Sequence, residues 1–448
     1  MRIHFIGKNG VSMRTLMWLA EVRGIMVSGS DMLDTGHDAS FVEGADLVVY
    51  TAAIPLDNVE LVRAKQLKIP LMTRGEFLGQ IVKSFALSVA VAGTHGKTTT
   101  TAMLWEVCFS LNPTVHIGGE YAPSAGSRVG FAKSKSKKAV IAEECVKPQP
   151  VLDNNKALFI TEACEYKKSF LHLSPDYALI LNTDLDHTDC YKSITDIKDS
   201  FKEFGMQAKK LVFINGDEKP FFKGQNALRA GLSGACDIRG KYLKTDKYGR
   251  YGFGVYNKGE RLGRIQLSVA GRHNVYNALF VIGVCLELGL SFEDIAKGLS
   301  RFNGLSRRME FLRTKAGCDI YSDYAHHPKE IDLTIQCMKE CKYEHITAVF
   351  EPHTYTRTAS FLSDFADSLA AADTVVLLPV FAAREMPVKG GASDDLARVL
   401  KSKYAQVYSF KDYPSAGKYL KKNLNKGGVV LFMGAGTVDG FAREFAVE

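Results

Sequence analysis

Residues 87–100 constrain the fold of this chain more than any other segment. The apolar run Leu87–Ala92 leads into the sequence GTHGKTTT at residues 93–100, and an amphipathic stretch follows. Glycines let backbone N–H groups turn toward an anion, and the start of a helix adds its dipole. This order predicts a phosphate-binding loop in which Lys97 reaches the β- and γ-phosphates of a nucleotide and the Thr98 hydroxyl binds Mg²⁺.

Short apolar runs alternate with amphipathic segments along nearly the whole chain. Runs such as 177–181, 347–350 and 429–432 are continuous rather than alternating, which is typical of strands buried on both faces of a parallel sheet. The predicted fold class is therefore α/β. Three domains are expected: a Rossmann-like N-terminal domain at 1–84, a central P-loop ATPase-type domain with a mostly parallel sheet at 85–310, and a Rossmann-like α/β C-terminal domain at 311–448. A loop-rich insertion is expected at 131–156.

The composition excludes several classes of protein. With 46% hydrophobic and 24% charged residues, the chain has the make-up of an ordinary globular protein. Its nine cysteines are odd in number and contain no CxxC pair, which argues against a disulfide framework or zinc ribbon and favours a reducing cytoplasm. No run approaches 18 apolar residues, so no membrane span is expected.

The net charge of +8 favours anionic partners such as nucleotides. The lysine-rich run at 133–138 has no interleaved aromatic residues on which bases could stack, so no nucleic-acid partner is expected.

Two acidic clusters directly follow apolar runs. Residues 162–165 read EACE, and residues 182–189 read NTDLDHTD. Ligands of open α/β sheets bind at the carboxyl ends of the strands, and a hard cation beside phosphates takes oxygen ligands. We therefore predict a metal site that includes Glu162, with His187 as a less usual ligand.

Four further clusters lie after residue 270: GRHNVYNA at 271–278, RRME at 307–310, DYAHHP at 323–328 and EPHTYTRT at 351–358. Alone, the first is a capped helix start, and the second is a turn that either touches a nucleotide or is merely solvated. Six of the eleven histidines fall within the segments named so far, which is not expected of histidines that only fill cores.

In this order, the motifs resemble those of the Mur ligase family, and the resemblance extends nearly from end to end. It implies three domains that bind a UDP-sugar, ATP and an amino acid, in that order. The segments at 326–328 and 351–358 favour the member that joins L-alanine to the carboxylate of UDP-N-acetylmuramate for cell-wall synthesis. The implied reaction consumes ATP, requires Mg²⁺ and passes through an acyl phosphate.

The resemblance also implies roles for individual residues. Catalytic roles fall to Lys97, His187, Tyr324, His326 and Arg357. Metal ligands are Thr98, Glu162 and His187. The nucleotide is expected to contact Gly93, Thr94, His95, Gly96, Lys97, Thr98, Thr99, His273, Asn274, Asn277, Arg308 and Asp323. The UDP-sugar is expected to contact Gly7, Gly10, Ser12, Ser30, Asp31 and Thr51. A monomer or homodimer is expected.

Two segments depart from the family pattern. Asn9 stands where the family usually has glycine in the first glycine loop, with Arg14 and Thr15 replacing a serine-glycine pair, and Thr354 stands where many members have arginine. Three alternatives therefore remain: a related ligase with another amino acid or peptide acceptor, a non-catalytic nucleotide-binding paralogue, and a plain P-loop kinase or NTPase.

Overall fold

The computed structural model describes residues 1–118, 157–186, 190–222, 224, 226–383, 385–403 and 406–447. The insertion predicted at 131–156 and the predicted metal ligand His187 lie outside these residues.

The first sheet has four parallel strands in the order β2-β1-β3-β4. Its strands and the helices along this part of the chain are β1 Arg2–Ile6, α1 Val11–Val22, β2 Met26–Ser30, β3 Leu47–Tyr50, α2 Val59–Gln66, β4 Leu71–Thr73 and α3 Arg74–Lys83.

The second sheet has nine strands in the order β13-β12-β11-β10-β9-β8-β5-β7-β6. Along this order, every pairing from β11–β10 to β7–β6 is parallel. The strands are β5 Leu87–Ala92, β6 Thr114–His116, β7 Leu158–Glu162, β8 Tyr177–Ile180, β9 Leu211–Asn215, β10 Ala227–Gly231, β11 Ile238–Thr245, β12 Arg250–Asn257 and β13 Glu260–Ala270. The helices are α4 Lys97–Val107, α5 Ile194–Met206, α6 Arg272–Glu287 and α7 Phe292–Arg301, with a short 3₁₀ segment at Tyr166–His172.

The third sheet has six strands in the order β14-β15-β19-β16-β17-β18. Of the described pairings in this sheet, only β14–β15 is antiparallel. The strands are β14 Glu310–Lys315, β15 Cys318–Asp323, β16 Ile346–Phe350, β17 Thr374–Leu377, β18 Val407–Ser409 and β19 Val429–Met433. The helices are α8 Pro328–Glu340, α9 Tyr355–Ser360, α10 Leu362–Leu369, α11 Ser393–Lys403, α12 Tyr413–Lys422 and α13 Val438–Val447.

The apolar runs form the central strands, as predicted. Every residue of β8, β16, β17 and β19 is buried, because helices cover both faces of these parallel sheets. The prediction of an α/β fold built on mostly parallel sheets is therefore confirmed.

The chain divides into two compact units. Unit one comprises residues 1–241, 255–263 and 276–301, and unit two comprises residues 242–254, 264–275 and 302–448. The domain boundaries predicted after residues 84 and 310 stay predictions.

Within unit one, α3 packs closely on the 3₁₀ segment Tyr166–His172 through two glycines one turn apart. A Cβ added to Gly75 would lie 2.6 Å from the Ser169 hydroxyl oxygen, and one added to Gly79 would lie 2.3 Å from the His172 carbonyl oxygen. Because real Cβ atoms do not approach so closely, glycine is required at both positions. The contact fixes α3 against the segment that follows β7.

Within the described residues, none of the helices combines the length and the apolar character needed to cross a membrane.

Candidate active site

The phosphate loop begins where three neighbouring strands of the second sheet end. The register pairs Val91 of β5 with Glu162 at the end of β7, and Ala92 with Ile180 at the end of β8. The glycine loop, the EACE cluster and the segment from Asn182 onward therefore leave one edge of the sheet side by side. This edge is where open α/β sheets bind ligands.

The loop conformation depends on its glycines and on the segment after β8. Gly93 and Gly96 have φ angles of 143° and 84°, which residues with a Cβ rarely adopt. The Asn182 side chain accepts from the His95 N–H (2.8 Å) and donates to the His95 carbonyl (3.0 Å). The Thr94 hydroxyl donates to the Asp184 carbonyl and accepts from the Asp184 N–H, at 3.0 and 2.9 Å. The loop is thereby held on both sides of its tip.

The first turn of α4 suits an anion. Its N-cap is Gly96, no side chain caps it, and its first turn contains no acidic residue. Backbone N–H groups at such a helix start are available to a phosphate, and the helix dipole favours negative charge there. The residues present therefore fit the triphosphate of a nucleotide.

Lys97 is held beside the loop by three acceptors. Its ammonium donates to the carbonyls of Gly93 (2.5 Å) and Thr94 (3.2 Å) and pairs with the Glu165 carboxylate at 2.9 Å. Burial alone would lower the pKa of Lys97, but the Glu165 carboxylate, with a smaller contribution from Glu162, outweighs it and raises the pKa above its usual range. Lys97 is therefore a fixed positive charge at the loop.

Glu162 lies at the end of β7, and one of its carboxylate oxygens accepts from the Gly118 N–H at 2.7 Å. Its negative charge acts on Lys97, so it belongs to the phosphate-loop site. A carboxylate beside a phosphate loop is an oxygen ligand of the kind that Mg²⁺ takes. No cluster of three or more His, Cys, Asp or Glu side chains suited to a metal occurs among the residues that the model describes. The roles of Thr98 and Glu162 as metal ligands stay predictions.

The residues predicted to contact the nucleotide from α6 fall into different units. In unit one, a Cβ on Gly96 would lie 2.9 Å from the Asn277 side-chain oxygen, so Asn277 lies against the phosphate loop. In unit two, the Asn274 side chain donates to the Ala270 carbonyl at 2.7 Å. Burial and the neighbouring Arg308 lower the pKa of His273 to about 4, so its imidazole is neutral near pH 7.

A second glycine loop follows β1. Ile6, at the end of β1, pairs with Ser30 of β2 and Tyr50 of β3, so Gly7, Asp31 and Thr51 follow three adjacent strand ends. A Cβ on Gly7 would lie 2.5 Å from the Thr51 methyl group. Four of the residues predicted for the UDP-sugar (Gly7, Ser30, Asp31, Thr51) are thus brought together.

The rest of this loop is ordered by the same strand ends. The Asn9 N–H donates to the Asp31 carboxylate at 3.2 Å, so the residue that departs from the family pattern is accommodated within the loop. Helix α1 begins after Gly10 with no side-chain cap and no acidic residue in its first turn. This helix start also suits an anion.

Arg74, at the start of α3, reaches the first turn of α1. Its guanidinium donates to the hydroxyls of Ser12 and Ser169, both at 3.0 Å. The Ser12 hydroxyl also contacts the His116 Nε2 atom at 2.8 Å. Sequence reasoning missed this arrangement, because Arg74 lies at a strand–helix boundary without a motif.

In unit two, Asp323 organises the turn after β15. Its two carboxylate oxygens accept from the N–H groups of Met309 (2.6 Å) and Ala325 (2.7 Å). Burial raises the pKa of Asp323, against the lowering effect of Arg308. The guanidinium of Arg308 lies over the Tyr324 ring, 4.9 Å from its centroid. Asp323, Tyr324 and Arg308 therefore lie together, and the roles predicted for them stay predictions.

A cluster of positive and imidazole groups lies beside this turn. The rings of His326 and His353 are 5.8 Å apart, and Arg357 donates to His353 Nδ1 at 3.5 Å. Burial, His326 and Arg357 together lower the pKa of His353 to about 4. His353 is therefore a neutral acceptor that orients Arg357, a role that the sequence did not assign to it.

The third glycine turn, at residues 434–437 after β19, already holds a carboxylate. Glu351 is fully buried at the end of β16, and one of its oxygens accepts from the Thr437 N–H (3.1 Å), the Thr437 hydroxyl (2.9 Å) and the Tyr413 hydroxyl. A Cβ on Gly436 would lie 2.3 Å from the other Glu351 oxygen. This turn is filled by the protein's own side chain.

Two further residues of the phosphate-loop site were missed by sequence reasoning. Glu165, which pairs with Lys97, belongs to the EACE cluster, and Asn182, which brackets His95, opens the NTDLDHTD segment. Their polar character at a strand end was a usable signal, but their partners depend on how strands pair.

Models of three family segments match this chain. They are described as "Mur ligase family, catalytic domain", matching residues 2–86, "Mur ligase middle domain", matching residues 91–285, and "Mur ligase, glutamate ligase domain", matching residues 307–436.

Individual proteins match over nearly their full lengths. The UDP-N-acetylmuramate–L-alanine ligase of Caldanaerobacter subterraneus subsp. tengcongensis is 37% identical over 100% of this chain and 97% of its own. The enzyme of the same name from Clostridium acetobutylicum is 38% identical over 98% and 95%. Among solved structures, the UDP-N-acetylmuramate-alanine ligase of Thermotoga maritima is 26% identical, with a TM-score of 0.77 over 99% of this chain and 98% of its own.

Proposed function

The chain belongs to the Mur ligase family, and from this premise we propose that it uses ATP to join L-alanine to the carboxylate of UDP-N-acetylmuramate. The relatives named above carry that activity in their names and match the chain from end to end. The reaction forms an amide bond and is a step of peptidoglycan precursor synthesis.

The observation that carries the proposal is the phosphate loop with its partly buried Lys97, flanked by the ends of β7 and β8. A carboxylate that attacks the γ-phosphate of ATP brings two anions together, so the reaction needs fixed positive charge at that point. Lys97 supplies it, held in place by two backbone carbonyls and Glu165. Thr98 and Glu162 would hold one Mg²⁺ ion, and His187 would hold a second. Both ions would neutralise further negative charge on the phosphates.

The phosphate loop would hold the ATP. The first-turn N–H groups of α4 and residues 93–99 bind the phosphates, while Asn277 contacts the loop itself. His273, Asn274, Arg308 and Asp323 are proposed to bind the rest of the nucleotide. Neutral His273 acts there as a hydrogen-bonding group rather than as a charge, since its pKa is lowered to about 4.

The sugar nucleotide would bind at the loop after β1. Backbone N–H groups and Ser12 at the start of α1 receive the diphosphate. Gly7 and Gly10 lie in the loop, and Ser30, Asp31 and Thr51 lie at the neighbouring strand ends. Arg74 lies within hydrogen-bonding distance of Ser12 and adds a positive charge to this end of the helix.

The amino acid would bind at the cluster in unit two. The carboxylate of the amino acid pairs with Arg357 and His326, while Tyr324 shapes the site. The uncharged amine then attacks the acyl phosphate, and phosphate leaves. Because the pKa of His353 is lowered to about 4, His353 stays neutral and holds Arg357 by accepting its hydrogen bond.

The test is phosphate release from ATP with Mg²⁺, UDP-N-acetylmuramate and each of alanine, glycine and serine. Release that requires both the sugar nucleotide and L-alanine is the expected result. Release that requires a tripeptide instead would identify a peptide-adding ligase. Release without an amino acid would indicate a plain NTPase, and ATP binding without release would indicate a non-catalytic paralogue.

We further propose that the protein works in the cytoplasm. ATP and UDP-sugars are cytoplasmic substrates, and the eight cysteines within the described residues are all free thiols, which suits a reducing compartment.

A further inference from the structure

A chain of hydrogen bonds links the start of α3, the first turn of α1 and the end of β7. Arg74 Nη1 lies 3.0 Å from the Ser12 hydroxyl, which lies 2.8 Å from His116 Nε2. On the other side of the ring, His116 Nδ1 lies 2.9 Å from the Thr161 hydroxyl, which lies 3.0 Å from the Glu162 carbonyl oxygen. All of these residues lie in unit one.

The hydrogen bond from the Thr161 hydroxyl to the Glu162 carbonyl sets the polarity of this chain. A hydroxyl has a single proton, and Thr161 donates its proton to the Glu162 carbonyl, so Thr161 accepts from His116 Nδ1–H. A neutral imidazole with its proton on Nδ1 must accept at Nε2. Ser12 therefore donates to His116, and its oxygen accepts from Arg74.

Burial keeps His116 in the neutral form that this polarity requires. The residue is 2% exposed, and burial together with the charge of Arg74 lowers the pKa of His116 to about 3, against a raising effect of the Ser12 backbone. The direction of the hydrogen bonds is therefore the same throughout the neutral pH range.

The direction of these hydrogen bonds determines how Ser12 contacts Arg74. The Ser12 proton is committed to His116, so the Ser12 oxygen presents lone pairs to the Arg74 guanidinium, whose Nη2 atom is fixed by Ser169 at 3.0 Å. In the part of the chain that the model describes, no carboxylate is within ion-pair distance of Arg74. Its charge is oriented by two hydroxyls and remains available to an anion.

We propose that His116 is a positioning residue for the sugar nucleotide: by fixing the direction of the Ser12 hydroxyl, it orients Arg74 at the helix start that receives the diphosphate. This inference rests on the proposed function of the loop after β1. His116 does not touch the substrate and acts through Ser12. The simpler role, a buried histidine that only satisfies its neighbours, would make the same contacts but would not affect sugar-nucleotide binding through Ser12.

A double-mutant cycle separates the two roles. His116→Phe keeps a ring of similar size but cannot accept from Ser12, and Ser12→Ala removes the hydroxyl. We expect each to weaken UDP-N-acetylmuramate binding about tenfold, the size of one lost hydrogen bond to a charged group. The double variant should bind no more weakly than Ser12→Ala alone. Effects that multiply in the double variant would overturn the proposal, because His116 would then act independently of Ser12.

Three further readouts keep the test specific. In His116→Phe, KM for the sugar nucleotide should rise while kcat and the affinity for a non-hydrolysable ATP analogue stay within about twofold. His116→Gln should recover most of the affinity, since its amide oxygen can accept from Ser12. A loss of ATP-analogue affinity equal to the loss for the sugar nucleotide, or no recovery in a folded His116→Gln variant, would contradict the proposal.

The polarity can be measured on the unaltered protein, so it does not depend on a variant folding. ¹⁵N NMR of histidine-labelled protein should show the Nδ1–H tautomer for the signal that disappears in His116→Gln, and an Nε2–H tautomer would overturn the proposal. Failure of the proposed function has a different signature, because the unaltered protein would then bind no UDP-N-acetylmuramate at all.

Discussion

Lys97, for which we propose a catalytic role, has a buried partner in Glu165. Glu165 is 1% exposed, and its carboxylate pairs with Lys97 at 2.9 Å. Removing one member of a buried pair leaves the other charge uncompensated, which costs about 3–5 kcal/mol. A simple Lys97 variant would therefore lose both stability and activity, and the two losses must be separated.

We predict that Lys97→Met lowers the free energy of unfolding by about 3 kcal/mol and reduces turnover at least about 1,000-fold. The double variant Lys97→Met/Glu165→Gln should regain most of the stability, because no buried charge remains, but none of the activity. Urea unfolding and phosphate release measure the two quantities. Recovery of turnover in the double variant would show that Lys97 is structural.

At the scale of elements, the contact between α3 and Tyr166–His172 depends on close backbone approach. The would-be Cβ of Gly79 lies 2.3 Å from the His172 carbonyl oxygen, whereas that of Gly440 in α13 meets nothing within 4 Å. A glycine-to-alanine substitution can therefore be compared at two helix positions, one tightly packed (Gly79) and one open (Gly440).

We predict that Gly79→Ala destabilises the protein by about 2 kcal/mol, because α3 must move away from its partner. Gly440→Ala should be neutral or stabilise by up to about 1 kcal/mol through helix propensity. Thermal unfolding of both variants gives the comparison. Equal effects at the two sites would mean that α3 and the 3₁₀ segment are not tightly apposed.

Elements that are encoded locally could be predicted from the sequence. The phosphate loop was predictable because strand, glycines, Lys97 and helix follow one another within fourteen residues, 87–100. Arg74, His116 and Ser12 could not be predicted as a group. Ser12 lies 62 residues before Arg74 and 104 residues before His116, and the three meet only when α1, α3 and β6 pack. The pairing of Glu165 with Lys97 likewise depends on β5 and β7 being neighbours.

At the scale of the whole molecule, histidines with a lowered pKa occur in both units. The pKa values of His116, His273 and His353 are lowered to about 3, 4 and 4, in each case mainly by burial. An unfolded histidine has a pKa near 6.5, so the unfolded chain binds more protons once the pH falls below that value. Stability present above pH 6.5 is therefore lost progressively as the pH falls toward 4 and 3.

His116, which is 2% exposed, allows this loss to be measured. We predict that the unaltered protein loses about 2 kcal/mol more unfolding free energy between pH 7 and pH 5 than His116→Phe does. Urea unfolding of both proteins at the two pH values gives the difference, in which the titration of carboxylates common to both cancels. An identical pH dependence would show that His116 is not held neutral by burial.

The filled glycine turn after β19 has a consequence for inhibitor discovery. A glycine turn and a helix follow each of β1, β5 and β19. In the turn after β19, the Glu351 carboxylate already occupies the place that a phosphate would take. Fragments that mimic phosphate should therefore bind at the turns after β1 and β5 but not at the turn after β19. A screen that selects sites by glycine pattern alone would include one turn that the protein's own side chain fills.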